Sequence, residues 1–460
     1  MEGEGRAISA TAEGEKGRAL YWPTSMRLPL IWRRSATAAG IYLSVGLGFL
    51  GTLLAARQLG PQAFGLFSIV LVATGFLQTL LDLTAEEVLV KYGFQYVAQE
   101  RWGRLHRLFL GAFLVKVGGG LLAGLVLAAL APVADSLFGG HDLLLPFLVA
   151  ALLPLLQSPE GVASAAVILR GRYDLRAWLL AASMGLRMIG LALGAGYGVL
   201  ETVAGLVCAQ AVATAVLGAV ALATFRRFPK AEAEPLGRER RAVLRFVLHS
   251  SLATGVVSLR GALAPLLLGI VTKPVQVGYF RIAQAPQQGL ASLSAPARLI
   301  LLTEQTRDWA RGETGAVFSG IRRYTVGAAL VMAVLVPPVY AFMPELVRLL
   351  YGQSYKPASE AARLVLLAAA LQFVVGWSKS FPVSIGRPGL RVLAHGVESV
   401  VMIPLVVVLG AQWGATGAAG AVLAAAGVFA ALWAALLARI RRQTALAPAS
   451  QVSAEEVVAP

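Results

Sequence analysis

Two arginines, Arg260 and Arg281, lie deep inside apolar sequence. They fall in adjoining runs between Val247 and Gln284, joined by a Thr272-Lys273-Pro274 turn, and each run is long enough to cross a bilayer at about 1.5 Å per helical residue. A guanidinium at bilayer depth costs at least about 2.5 to 3.5 kcal/mol, so both side chains are expected to face a polar cavity or a partner carboxylate rather than lipid. Other charges share this setting. Lys116, Arg187, Arg363 and Lys379 are embedded cations, Arg57 ends the first apolar run, and Glu160 and Glu398 are embedded acids. A desolvated carboxylate can titrate, which makes Glu160 and Glu398 candidates for proton or sodium coupling; the alternative is that each neutralises a buried arginine. Metal and covalent chemistry find little support. Cys208 is the only cysteine, the four histidines lack ligand spacing, and Asp135 and Asp142 are the only clustered acids in an outer turn. No cofactor is expected.

The elements that must position these charges are membrane helices. With 57% hydrophobic and 14% charged residues and a mean hydropathy of +0.71, the chain is too apolar for a soluble protein of its length. Runs of roughly 20 apolar residues predict an all-α polytopic protein with about twelve spans, near residues 36–56, 63–84, 107–132, 143–169, 177–198, 201–225, 246–272, 277–301, 323–350, 360–385, 390–410 and 413–438. No signal-peptide pattern is read at the start, so the first apolar run is expected to act as its own insertion signal.

Loop charge sets the expected orientation. Alternate connections carry Arg101 and Arg104, Arg170 and Arg172, a run from Arg226 to Arg245, Arg307 to Arg323, Arg387 and Arg391, and Arg439 to Arg442. The opposite set holds Arg57, Lys273, Arg348 and Lys356. This asymmetry places both termini in the cytoplasm. It also explains the net charge of +16 without a nucleic-acid partner. The reading divides the chain into a disordered tail (1–30), an N-lobe of six helices (31–225), a cytoplasmic linker (226–245), a C-lobe of six helices (246–440) and a second disordered tail (441–460).

The two lobes share a motif. Pro61, Gly65, Phe67 and Ile69 recur at identical offsets as Pro274, Gly278, Phe280 and Ile282, each set following one apolar run and opening the next. Such internal repeats are a common transporter device. Prolines inside spans, Pro265 and Pro286 among them, offer hinge points.

The passages AARQLGPQAFGLFSIV, GYFRIAQAPQQGL and LVRLLYGQSYKPASEAARLVLLAA, with the polar central linker, resemble the bacterial polysaccharide exporters and oligosaccharide-lipid flippases. These form part of the multidrug/oligosaccharidyl-lipid/polysaccharide (MOP) superfamily, and the resemblance covers roughly residues 30 to 440. It implies two six-helix lobes around a central cavity, open alternately to either side of a bacterial inner membrane. The implied cargo is a lipid-linked oligosaccharide whose polyprenyl diphosphate passes through the cavity while the tail stays in membrane lipid. Implied partners are a polysaccharide polymerase and glycosyltransferases, with H+ or Na+ as counter-ion. A diphosphate carries about two negative charges and guanidinium forks bind phosphate bidentately, so Arg260, Arg281, Arg57 and Lys379 become the candidate diphosphate ligands.

One stretch departs from the family. LDLTAEEVLVKYG places Asp82, Glu86 and Glu87 at the cytoplasmic end of the second span, where Lys91 or Arg101 is the expected ion-pair partner. Tyr279, Phe280, Trp377 and Trp413 could stack on sugars or anchor helices at the interface. Two other functions compete with the flippase. A multidrug exporter of the same fold calls for a more acidic, aromatic cavity. A membrane polymerase or glycosyltransferase calls for a large outer loop with carboxylates, which the short outer turns do not supply.

Overall fold

The computed structural model describes residues 30–81, 85–237 and 239–446, with the side chains at 30–34, 249–250, 252–260, 293, 295–299 and 445–446 outside the described set. Among the described residues every regular element is helical. Sixteen α-helices are numbered here in chain order. The first half holds α1 (Leu30–Leu81), α2 (Ala85–Ala98), α3 (Trp102–Leu130), α4 (Ala134–Phe138), α5 (Leu144–Ala150), α6 (Leu152–Leu169), α7 (Tyr173–Ala195) and α8 (Val199–Phe225). The second holds α9 (Glu239–Val271), α10 (Pro274–Ala283), α11 (Ala285–Ala310), α12 (Thr314–Ala341), α13 (Met343–Tyr351), α14 (Ala358–Val374), α15 (Phe381–Ser384) and α16 (Gly389–Leu446).

Among the described residues, seven helical segments are long and apolar enough to cross a membrane. Two of these cross twice. α1 turns at Gly60 (φ 72°, ψ 171°) and α16 at Gly414 (φ 58°, ψ −133°), conformations that side chains with a Cβ rarely adopt. Each glycine therefore reverses the chain without a loop. Gln276 on α10 fixes the second reversal, because its Oε1 accepts a 2.9 Å hydrogen bond from the Ala415 amide at the start of the last leg. The remaining crossings come from α9, from α10 with α11, and from α14 with the short helices after it. This is the polytopic, two-lobed, all-α fold that the apolar runs predict.

Several spans are broken where the sequence reading has them continuous. The fourth divides at Ala151, the eighth at Gln284, the ninth at Phe342, and the tenth passes through a 3-10 turn at Gly376–Lys379. Proline stands at the first or second position of α11, α13 and α15, where it lacks only an amide that no helix bond would use. α2 is an addition. The segment after the second span, with Glu86, Glu87 and Lys91, forms a 14-residue helix where only a connection is expected.

The halves meet where the motif repeats. α1 and α10 pack together, and a Cβ on Gly65 would run into the Pro274 carbonyl while one on Gly278 would run into that of Pro61. Each copy of the motif thus holds the other, proline to glycine in both directions. Phe67, Ile69, Phe280 and Ile282 are buried around the crossing. Tyr355 closes it, its hydroxyl donating to the Ala56 carbonyl at 2.7 Å with its ring edge-on to Phe64.

Away from this seam the core divides. A single cluster with Phe64, Leu127 and Val203 from the first half and Phe280, Val365 and Val406 from the second fills the seam end. The opposite end has two separate cores, one around Leu89, Tyr96, Leu105 and Leu169 and one around Ile321, Trp377, Phe381 and Trp433. Among the described residues the core is therefore joined at one end and forked at the other. The start of α9 remains with the first half: Val243 and Val247 enter its core, and Glu239 accepts hydrogen bonds from Tyr96 at 2.5 Å and Arg104 at 3.0 Å. Burial first, and the Glu239 carboxylate second, push the Tyr96 phenol above its ordinary range, so the hydroxyl remains a donor.

Candidate functional site

Arg281 occupies the last turn of α10, just before the break at Gln284 separates it from α11. Its side chain lines a cavity of about 710 Å³. Ser44, Gly48 and Thr52 of α1 face it on one side, with Met184 of α7, Pro286 of α11 and Tyr351 of α13 around the rest. The small residues of α1 leave this space open because they carry little side-chain volume, and the break at Gln284 with Pro286 directs the chain around it. Nη1 of Arg281 donates to Gln284 Oε1 at 3.2 Å. No carboxylate pairs with it among the described residues, and none lines the cavity. A permanent positive charge thus faces an apolar space with no internal counter-charge, which favours an anionic occupant.

The other candidate ligands lie elsewhere. Arg57 is exposed at the end of the first leg of α1 and does not line this cavity. Lys379 lines a separate, narrow pocket with Gln287, Gln372 and Tyr324. The Arg260 side chain is outside the described residues, as is all of Asp82. Arg363 is braced locally by Glu360 Oε1 at 2.6 Å and the Tyr340 carbonyl at 3.0 Å.

The two embedded acids have contrasting surroundings. Glu160 on α6 pairs with Arg187 of α7 at 3.2 Å and accepts 2.7 Å from Gln210 Nε2 of α8. Gln157 and Thr214 extend the network, which ties three helices of the first half together. Glu398 is buried on α16 beside His395, with Nδ1 and Oε2 3.1 Å apart. Gln372 of α14 donates to Glu398 at 3.4 Å and accepts 3.2 Å from Gln287 of α11. A polar thread therefore runs from Glu398 to Gln287, in the narrow pocket that Lys379 also lines. His395 was not a candidate in the sequence reading. Its position three residues before Glu398, one helical turn away, was the available signal.

The acids after the second span also take unexpected partners. Glu86 pairs with Arg176 of α7 at 3.1 Å, whereas Lys91 lies over the Phe246 ring at 4.1 Å and Arg101 reaches Glu239. A cavity of about 620 Å³ lies beside them, lined by Glu86, Glu87, Lys91, Lys116 and Arg176. Its charge is mixed, and buried Lys116 contributes to it. Of the candidate sugar platforms, Phe280 and Trp377 are buried core residues, Trp377 edge-on to Trp433. Tyr279 packs on Tyr355, and Trp413 stands exposed at the Gly414 turn.

The sequence profile of the family described as polysaccharide biosynthesis protein matches residues 34–298. The chain belongs to that family. Solved structures share its fold. An inward-facing multidrug resistance MATE family transporter of the MOP superfamily aligns at a TM-score of 0.71 and 14% identity, over 86% of this chain and 95% of its own. The lipid II flippase MurJ, in an inward closed conformation, aligns at 0.68 and 13% identity, over 91% and 89%. A MOP superfamily transporter from Pyrococcus furiosus, with a binding pocket described as reversed in polarity, aligns at 0.59 and 13%, over 90% and 95%. No curated protein matches in sequence. This member of the polysaccharide biosynthesis family is thus a multi-pass membrane protein with the MOP transporter fold.

Glu160→Ala in this protein leaves Arg187 and Gln210 without their acceptor. The expected result is a folded-state loss of about 1 to 3 kcal/mol, seen as lower abundance and earlier thermal unfolding. Adding Arg187→Met should restore most of it, because the uncompensated charge is then gone.

Proposed function

We propose that the protein is an alternating-access flippase that moves a polyprenyl-diphosphate-linked oligosaccharide across the inner membrane for surface polysaccharide synthesis. The observation that carries this reading is Arg281, a cation in a cavity of about 710 Å³ lined by no carboxylate among the described residues. The family match and the flippase activity printed for one neighbour support the same cargo class. In this reading the forked end is cytoplasmic. Its connections carry Arg101, Arg104, Arg170 and Arg227 on one half and Arg307, Arg322 and Arg441 on the other, in keeping with the positive-inside rule. The structure is then an inward-open state, and alternation consists of closing the fork while the Gly65–Gly278 seam opens.

Binding discriminates this from multidrug export. Purified protein should prefer a short-chain polyprenyl diphosphate over the monophosphate, and both over a lipophilic cation such as tetraphenylphosphonium. Tighter binding of the cation would overturn the assignment.

Glu398 is the coupling carboxylate this reading favours, since Glu160 already faces an arginine while Glu398 faces a histidine that is charged only when protonated. The polar thread through Gln372 ends at Gln287, the chain neighbour of Pro286, which lines the cargo cavity. Glu398→Gln should abolish the response of flux to an imposed pH gradient in proteoliposomes while leaving gradient-independent exchange in place. A retained response would remove Glu398 from coupling.

A further inference from the structure

A second basic site lies at the forked end of the first half. The α6–α7 turn, the end of α8 and α2 enclose a pocket of about 350 Å³, separate from the cavity around Arg281. Its wall is apolar, built from Phe94, Val97, Leu175, Val220 and Phe228. Three arginines edge it. Arg172 is held by Asp174, Nε to Oδ1 at 3.5 Å. Arg170 and Arg227 have no carboxylate partner among the described residues; Arg170 instead lies over the Phe228 ring, 5.0 Å from its centroid.

Two guanidinia are therefore held near each other beside an apolar recess. Burial, and after it the charge of Arg227, pull the Arg170 guanidinium below its ordinary value. An anion between the two would relieve that repulsion, and a phosphate offers acceptors to both forks at once. The surroundings specify where this phosphate comes from. Tyr173 and Trp178 on α7, each 48% exposed, and Leu222 on α8, 49% exposed, lie within three residues of pocket-lining positions in the chain, and such side chains collect at the headgroup level of a bilayer. At that level a recess with basic edges and an apolar wall matches a lipid phosphate whose acyl chains are directed into the hydrocarbon.

We propose that this pocket binds the phosphate of an anionic membrane phospholipid, with Arg170 and Arg227 on its oxygens and an acyl chain along Leu175 and Val220. The site is independent of the cargo assignment, because none of its residues lines the Arg281 cavity. A lipid there would tie α2, α7 and α8 together at the end of the half that must move when the fork closes.

The test uses full-length protein in nanodiscs of phosphatidylcholine with or without phosphatidylglycerol, reading retained lipid by native mass spectrometry and thermal midpoint. Phosphatidylglycerol should be retained and should raise the midpoint. Arg227→Gln, at an exposed position outside the core, should cut retention about tenfold, and Arg170→Gln with Arg227→Gln should abolish it. Arg281→Ala should leave it unchanged, which separates this site from the cargo cavity. Inorganic phosphate at millimolar concentration should not reproduce the effect. Equal stabilisation by inorganic phosphate would assign the pocket to a soluble anion and overturn the lipid assignment. Undiminished phosphatidylglycerol retention in folded Arg227→Gln and in the double variant would overturn the site itself.

Discussion

Replacing Arg281 by alanine is expected to weaken binding of a polyprenyl diphosphate by roughly ten- to hundredfold, the equivalent of about 1.5 to 3 kcal/mol for a lost charge-assisted contact. Arg281→Lys keeps the charge but loses the planar fork, so its affinity should fall between the two. The expectation is specific because the side chain has no carboxylate to brace among the described residues and bonds only Gln284 on its own helical turn. Were it a structural brace, alanine would lower abundance and leave binding per molecule intact. Affinity measured on purified, monodisperse variants separates these outcomes. Wild-type affinity in Arg281→Ala would remove this residue from the site.

Gly65→Ala should be among the most damaging single methyl additions at the described residues. The added Cβ would enter the Pro274 carbonyl, and the matching change at Gly278 would enter that of Pro61. Backbone cannot rotate away as a side chain does, so the seam between α1 and α10 must spread, at about 1 to 3 kcal/mol per site as for other overpacked contacts. Both variants should unfold earlier and accumulate less than wild type. Gly75→Ala is the control, since a Cβ there meets nothing within 4 Å and alanine favours the helix. Equal midpoints for Gly65→Ala and Gly75→Ala would show that the seam does not depend on this close approach.

The contrast between Gly65 and Gly75 also marks what could be read from sequence. The spans were legible because a bilayer imposes one length and one composition on each of them. The repeat at Pro61 and Pro274 was legible as a likeness between halves. That its two copies are each other's contact was not, because sequence similarity carries no information on which surfaces meet. Which arginine each acid would meet was illegible for the same reason, although a buried arginine for Glu160 was one of its two open readings. Glu160 finds Arg187 on the next helix and Glu86 finds Arg176 from 90 residues away, so only the packing of α2 and α7 on α6 selects them. Embedded charge alone also overstated the cluster: Arg57 and Lys379 share the positive charge of Arg281 but do not line its cavity. His395 is the reverse case, a local i to i+3 pair with Glu398 whose spacing the sequence shows but whose burial it does not.

The breaks at Gln284 and Val375 were the least legible feature, and they matter most for the site. Pro286 and Pro382 were visible as irregular positions, but a proline within a span can be absorbed by a bend or can end the helix. At Gln284 it ends one, and that termination sets Arg281 beside the cavity.

The central claim is that this family member carries a lipid diphosphate through the Arg281 cavity. It is tested most directly by reconstituting the protein in liposomes and measuring flipping of a polyprenyl-diphosphate glycan per inserted molecule. Flux well above protein-free vesicles, reduced roughly ten- to hundredfold by Arg281→Ala at subsaturating cargo, is the expected result. Flux equal in wild type and Arg281→Ala, or transport of a lipophilic cation with none of the diphosphate, would contradict it.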